Sequence, residues 1–181
     1  SCALDNSSGI VKCWGAGSAL GLGTDYSGNK GNEANEMGSN LGFVDLGTGR
    51  TATAIASGNH HTCAILDNAS VKCWGSNDAG QLGLGNSTTL GDSANEMGDN
   101  LPSVDLGTGR TAIAIDTSWG HTCVILDNDA VKCWGSNDAG QLGIGNTTNM
   151  GDGANEMGDN LPSVDLGTGR TATAIATGAY V

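Results

Sequence analysis

The sequence predicts an all-β protein of short strands in a closed or repetitive architecture. Three observations carry that prediction. A motif recurs at an offset of 60 residues. Short β-prone stretches are separated by turn signals every ~8–12 residues. Glycine makes up 31 of 181 residues without a collagen triplet, and helix periodicity is missing, the composition of many tight turns between short elements.

The repeat comes first. Val11-Lys12-Cys13-Trp14-Gly15 returns as Val71-Lys72-Cys73-Trp74-Gly75 and as Val131-Lys132-Cys133-Trp134-Gly135. Self-similarity at a fixed period of this size marks an array of supersecondary units. Residues 71–83 are identical to 131–143, and 94–112 to 154–172; the first copy, 34–52, differs from the latter pair only at Ser39, Gly42 and Phe43. Such near-identity points to recent duplication. The units are 1–61, 62–121 and 122–181, in one continuous array. Residues 177–181 align with 57–61, just before Thr62-Cys63, and Ser1-Cys2 aligns with that same pair. The expectation is that the two ends close on each other or that the chain is a three-unit window on a longer array. With no initiator Met and no signal peptide, it reads as a mature fragment or a piece of a longer chain.

In the middle unit, Ala52-Thr53-Ala54-Ile55-Ala56 is a short alternating stretch that ends at Gly58. His61-Thr62-Cys63-Ala64-Ile65-Leu66 is β-prone, Asp67-Asn68-Ala69-Ser70 is turn chemistry, and Val71-Lys72-Cys73-Trp74 is the next strand. A loop from Gly75 to Gly80 leads into Gln81-Leu82-Gly83-Leu84-Gly85. The one candidate helical segment, Ala94-Asn95-Glu96-Met97, lies between Gly91 and Gly98 and holds at most a turn or two.

These residues carry a family resemblance. Gly58, His61, Thr62, Val71, Trp74, Gly75, Asn77, Gly80, Gln81, Leu82, Gly83 and Gly85 fall in a pattern repeated through Gly120–Gly145, with Gly120 directly before His121. Together with Pro102, Val104, Leu106 and Ala112 to Ile115, the pattern resembles the repeat of the regulator of chromosome condensation family along the whole chain. The resemblance implies β-propeller-type blades, one four-stranded antiparallel sheet per repeat, with seven blades in a complete ring. Three blades then form a partial propeller or an open repeat array; a ring requires further repeats or more than one chain. The first copy departs from the motif, since Gly15 to Gly21 replaces Gly75 to Gln81 and lacks its Asn and Gln.

The six cysteines fall as one pair per unit: Cys2 and Cys13, Cys63 and Cys73, Cys123 and Cys133. A three-residue turn at Asp67-Asn68-Ala69 makes Cys63 face Cys73, and opposed antiparallel residues lie ~4.5–5.5 Å apart, within disulfide range. Each bridge closes a short loop and stabilises by roughly 2.5–3 kcal/mol in the chain-entropy model. The rival readings are buried free thiols, or zinc on His61, Cys63 and Cys73, which lacks a Cys-x-x-Cys spacing and a fourth ligand. The resemblance gives the His-Thr pair a structural role in the blade, with no metal. Disulfides imply an oxidising compartment, extracellular or at the cell surface, and argue against the family's nuclear role. Sequons at Asn6, Asn68, Asn86 and Asn146, all at predicted turns, fit the same compartment as N-glycosylation candidates, although Ser, Thr and Asn are common enough here to produce sequons by chance.

With 19 acidic and 7 basic residues the formal charge is −12, which excludes nucleic-acid binding through phosphate neutralisation and keeps a glycine-rich surface soluble. No apolar run approaches the ~20 residues of a membrane span. No nucleophile–base–acid set stands out, and the histidines at 60, 61 and 121 leave the first unit without any, so a per-unit catalytic site is excluded. Gly80 to Gly85 has no following Lys or helix to cradle phosphate. The acidic loop with Asp92, Glu96, Asp99 and Asp105, repeated as Asp152, Glu156, Asp159 and Asp165, offers carboxylates of the kind calcium takes. Its spacing fits neither an EF-hand nor a nonapeptide β-roll, and a solvated loop with Asx turns explains it equally. Otherwise no cofactor is implied. Arg50, Arg110 and Arg170 are expected to pair with Asp45, Asp105 and Asp165.

The expected function is a non-catalytic extracellular structural or assembly protein, part of a filament, coat or longer array, whose partners are copies of itself or neighbouring repeats. The alternative is a propeller-type binding module for a protein or glycan, for which only Trp119 lies outside the blade motif and is spare for stacking. The resemblance also brings guanine-nucleotide exchange as a remote alternative, at the level of fold alone.

Overall fold

A computed structural model describes residues 1–23 and 28–178. Ala179, Tyr180 and Val181, which complete the phase match between the chain ends, lie outside the described residues. Among the described residues, eight strands form three antiparallel sheets. The first pairs β1 (Cys2–Asp5) with β2 (Ile10–Cys13). The second has the order β3 (Ala52–Ser57), β4 (His61–Leu66), β5 (Val71–Gly75), and the third repeats it as β6 (Ala112–Thr117), β7 (His121–Leu126), β8 (Val131–Gly135). Each sheet is one blade.

The central hairpin of each blade is dictated locally. Asp67 to Ser70 supplies the turn, with Ala69 in the left-handed region at φ 61° and its N–H bonded to the Leu66 carbonyl at 2.9 Å. That turn sets Cys63 opposite Cys73 and Thr62 opposite Trp74. In the third blade Asp129 takes the same left-handed position, at φ 63°, and Cys123 faces Cys133. The strands end at Gly75 and Gly135, with φ near +110°, where a Cβ would lie 2.3 and 2.4 Å from the carbonyl oxygens of His60 and Gly120. Only glycine lets the chain pass there.

Side-chain alternation divides each hairpin between two cores. Successive residues of a strand point to opposite faces. Ala64, Leu66 and Trp74 therefore pack against Val11, Cys13, Val44 and Leu46 of the first blade, while Cys63, Ile65, Val71 and Cys73 pack against Val124, Leu126 and Trp134 of the third. β4 and β7 are buried along their whole length, whereas β1 alternates half-buried and exposed. The core lies in the seams between blades. Trp74 and Trp134, with no exposed surface, are the largest contributors, since a fully buried large apolar side chain is worth ~1.5–3 kcal/mol.

The sheets have three, three and two strands where the resemblance implied four. The fourth segment is present but keeps a single backbone bond to its own blade: Val44 N–H to Val11, Val104 to Val71 and Val164 to Val131, at 2.8–2.9 Å. Pro102 and Pro162 have no N–H to give, and the carbonyls of Asp45 and Asp105 accept instead from Gly98 and Gly158 of the following unit at 3.0 Å. Ala94–Met97 forms no helical turn, because Asn95 sits at φ 66°. A short 3-10 turn follows at Gly98–Asn100, with counterparts at Gly38–Asn40 and Gly158–Asn160. No helix among the described residues is long and apolar enough to cross a membrane.

Candidate functional site

The polar side chains of the repeat motif converge on the seams, and the two seams are built alike. At the first, the Trp74 indole N–H donates to the Ala19 carbonyl at 3.0 Å and the Thr62 hydroxyl donates to the same oxygen at 3.2 Å. At the second, Trp134 and Thr122 donate to the Gln81 carbonyl at 3.0 and 2.9 Å. Asp99 accepts from the Thr48 amide and hydroxyl at 2.8 and 2.6 Å, and Asp159 from those of Thr108 at 2.9 and 2.6 Å. These hydrogen bonds hold both carboxyls below their usual range. The buried Lys72 ammonium donates to the carbonyls of Leu46 and Gly98, and Lys132 to those of Leu106 and Gly158, at 2.6–3.1 Å. Burial pulls both ammonium groups down, while the nearby aspartates act the other way.

Both motif histidines sit in this seam network. His61 Nε2 is 2.9 Å from the Thr122 hydroxyl. Burial, and then the charges of His121 and His60, lower its pKa to about 4. His121 Nδ1 is 2.7 Å from the Ser118 hydroxyl, and burial lowers its pKa against the opposing effect of Asp116. Ser118 and His121 are both buried in the β6–β7 turn, which also bonds Ser118 N–H to the His121 carbonyl at 3.0 Å. The pair holds a turn closed.

The cysteines form three disulfides, Cys2–Cys13, Cys63–Cys73 and Cys123–Cys133, with Cα atoms 4.1 Å apart, so no thiolate is left beside His61 to hold zinc. The acidic loops do not converge. Glu96 accepts the amides of Gly91 and Ser93, and Glu156 those of Gly151 and Gly153. Asp92 accepts from the Ser93 hydroxyl, while Asp99 and Asp159 face the preceding unit. Asp152 hydrogen-bonds Glu156, and burial with that neighbour pushes its pKa up. No three metal-binding side chains meet among the described residues. Of the calcium candidates, Asp152 and Glu156 meet as a pair, while Asp92, Glu96, Asp99 and Asp159 are taken up by separate partners.

The arginines depart from expectation. Arg50 pairs with Asp67 and Arg110 with Asp127, each at 3.4 Å, because the antiparallel pairing of β3 with β4 sets Thr51 against Asp67. Asp45, Asp105 and Asp165 instead accept the amides two residues on, at Gly47, Gly107 and Gly167. The four sequon asparagines are exposed. Asn86 and Asn146 form Asx turns, accepting the Thr88 and Thr148 amides at 2.9 Å. Asn68 accepts both amide and hydroxyl of Ser70. Near Asn6, the hydroxyls of Ser7 and Ser8 are held by Asp5; these bonds, Ser8's first, lower the Asp5 pKa to about 2.

Two surface features escaped sequence reasoning. A groove of about 860 Å³ opens at the second seam, lined by Leu84, Asn86, Leu90, Pro102, Asp105 and Met157 among others. In addition, among the exposed large apolar side chains, Phe43 at 64%, Ile113 at 58% and Ile10 at 43% join Trp119 at 56%, which the sequence had already set apart. Sixty residues away these positions hold Ser103, Thr53, Ser70 and Asn59. Comparing the copies position by position would have found them.

Fold and seams define a β-propeller-like protein of repeated blades. Residues 52–81 and 112–141, in the second and third blades, each match the Regulator of chromosome condensation (RCC1) repeat. Curated relatives include the Ultraviolet-B receptor UVR8 of Arabidopsis thaliana, 30% identical over 91 residues, covering 50% of this chain and 19% of the relative. The Protein RCC2 homolog of Xenopus laevis is 30% identical over 103 residues, 56% of this chain and 18% of the relative. Among solved structures, human WBSCR16 superposes with a TM-score of 0.58 at 16% identity over 83% of this chain and 36% of that one. Yeast RCC1 (Prp20), in a structure where Kap60 is bound to it, gives 0.55 at 15% identity over 78% and 32%. The chain thus spans about a fifth of these curated relatives and about a third of the solved ones, and the structural likeness is one of fold.

Proposed function

We propose that the chain is a non-catalytic scaffold of RCC1-type blades that binds protein partners in an oxidising, extracellular or cell-surface compartment. The observation that carries the reading is where the copies diverge. In units otherwise close to identical, serine, threonine and asparagine give way to exposed Ile10, Phe43, Ile113 and Trp119. Exposed apolar and aromatic side chains supply most of the energy of a protein contact. Of the residues suited to chemistry, His61, Lys72, Lys132, Asp99 and Asp159 are engaged in holding the seams, and His121 in closing the β6–β7 turn. Protein partners also fit yeast Prp20, which is bound by Kap60 in the structure above and has binding properties to Gsp1p and histones. The three disulfides support the compartment, and exposed Asn86 and Asn146 are its natural glycan acceptors.

The test places a photo-crosslinking amino acid at 43, at 119 and, as a control, at exposed Asn128. Protein adducts formed from 43 or 119 but not from 128 support the reading. Equal labelling from all three positions, or six free thiols in a non-reducing mass measurement of the native protein, overturns it.

A further inference from the structure

The first blade departs from its copies twice at one small pocket. The pocket lies between the hairpin turn, the fourth segment and the residues that lead into the next blade. In the first unit it measures about 130 Å³ and is lined by Ile10, Val11, Phe43, Val44 and Arg50 among others. The third unit forms the same pocket, of about 250 Å³, with Ala130, Val131, Val164 and Arg170. Val11, Val44 and Arg50 thus have identical counterparts, and the rim does not. Ile10 stands where the other units hold Ser70 and Ala130, and Phe43 where they hold Ser103 and Ser163. The two positions are distant in sequence but meet because the Val44 N–H bonds to the Val11 carbonyl at 2.8 Å, which sets the fourth segment beside β2.

The openness of this site belongs to the position, whatever the place of the blade in the array. The middle blade has a neighbour on each side, yet its Ser103 is exposed and its Ser70 only half-buried. Every residue lining the pocket comes from a single unit, so no neighbouring blade builds it.

Charge selects the occupant. Asp5 is the cross-strand partner of Ile10. Asp45 lines the pocket two residues from Phe43, in a run whose side chains alternate exposed and buried. Neither carboxylate forms an ion pair among the described residues. Asp5 accepts from the Ser7 and Ser8 hydroxyls, and Asp45 from the Gly47 amide. The nearby cations are engaged elsewhere. Arg50 pairs with Asp67, the Lys12 ammonium donates to the Gly38 carbonyl, and Lys72, whose charge reaches Asp45, is buried in the seam. An apolar rim edged by carboxylates, on a chain of formal charge −12, complements a basic surface and repels an acidic one. The pocket is also smaller than the roughly 300–1,000 Å³ of a small-molecule site, which suits a single side chain of a larger partner.

We infer that the Ile10–Phe43 pocket of the first blade docks a cationic protein segment. One apolar side chain of that segment seats between Ile10 and Phe43, and a lysine or arginine beside it meets Asp5 and Asp45. The inference rests on the scaffold reading above and names the chemistry of its partner.

The experiment selects a random displayed peptide library on the intact, oxidised protein near physiological salt, and titrates the selected peptides against variants by fluorescence anisotropy. Selected sequences are expected to place an aromatic or aliphatic residue next to lysine or arginine. Phe43→Ser and Ile10→Ser install the residues that the second unit already carries at these positions, so the blade keeps its fold. Each is expected to weaken binding about tenfold. Asp5→Asn combined with Asp45→Asn keeps acceptors for the Ser7 and Gly47 amides, and is expected to leave binding weaker and less sensitive to salt. No enrichment, enrichment of neutral or acidic sequences, or binding that Phe43→Ser leaves intact overturns the inference. The two failures are distinguishable. Selected peptides that are not basic, with protein adducts still formed from position 43, remove only the chemistry of the partner. Equal labelling from 43, 119 and 128 removes the scaffold reading itself.

Discussion

His61 couples the second seam to pH. Its ring is buried, its Nε2 meets Thr122 across the blade boundary, and its pKa is lowered to about 4 from 6.5. The folded state thus favours the neutral ring. A group with its folded pKa depressed contributes stability that is complete above the unfolded pKa and declines as pH falls towards the folded one. The window is pH 6.5 down to about 4, and the total is about 3 kcal/mol. Urea unfolding at pH 7.5 and 4.5 should show that decline, and His61→Gln should flatten it. An equal decline in the variant would remove His61 as the cause. Asp99 and Asp159, held low by their threonine bonds, act in the same direction but at lower pH, below the ordinary carboxylate range. The sequence marked His61 through the His-Thr pair of the motif; its depressed pKa comes first from burial in the seam and then from the charges of His121 and His60, and a burial made by the stacking of two blades is announced by no local pattern.

At the scale of the element, the hairpin is the unit that the sequence expresses most directly. The Asp67–Ser70 turn fixes the register that opposes Cys63 and Cys73. Replacing both cysteines by serine should cost about 2.5–3 kcal/mol, since the bridge restricts a short loop in the unfolded chain; thermal unfolding of the oxidised wild type and the double variant measures it. A cost near zero would mean that the seams alone fix the hairpin. The fourth segment was marked by Pro102, Val104 and Leu106, but not that it keeps a single backbone bond to its own blade while the Asp45 and Asp105 carbonyls accept from the following unit. The first copy misled in another way. Its loop lacks Gln and Asn, yet Ala19 lies 62 positions before Gln81 and accepts the same indole bond. That bond uses a backbone carbonyl, so the loop is two residues shorter and the side chain dispensable.

Across the whole molecule, stability resides in the seams. Asp159→Ala removes a carboxylate that takes two bonds from Thr108 and neighbours the Lys132 ammonium. Loss of these bonds is expected to loosen the second seam, and hydrogen exchange should rise first in the third blade. Uniform loss of protection over all three blades would show that the seam is not a local unit. The array was plain from the 60-residue offset. Which face of each strand meets which neighbour, and that Arg50 reaches Asp67 instead of Asp45, depended on how the blades stack.

The division of each hairpin between two cores, with Cys63 and Ile65 on one side and Ala64 and Leu66 on the other, has a genetic consequence. Among the described residues, the seam hydrogen bonds join neighbouring units. Unequal recombination that inserts or deletes one whole 60-residue block leaves each surviving boundary chemically matched. The near-identity of residues 71–83 with 131–143 is the trace such recombination leaves, and it marks a protein whose length can change by whole units without redesign of its interior.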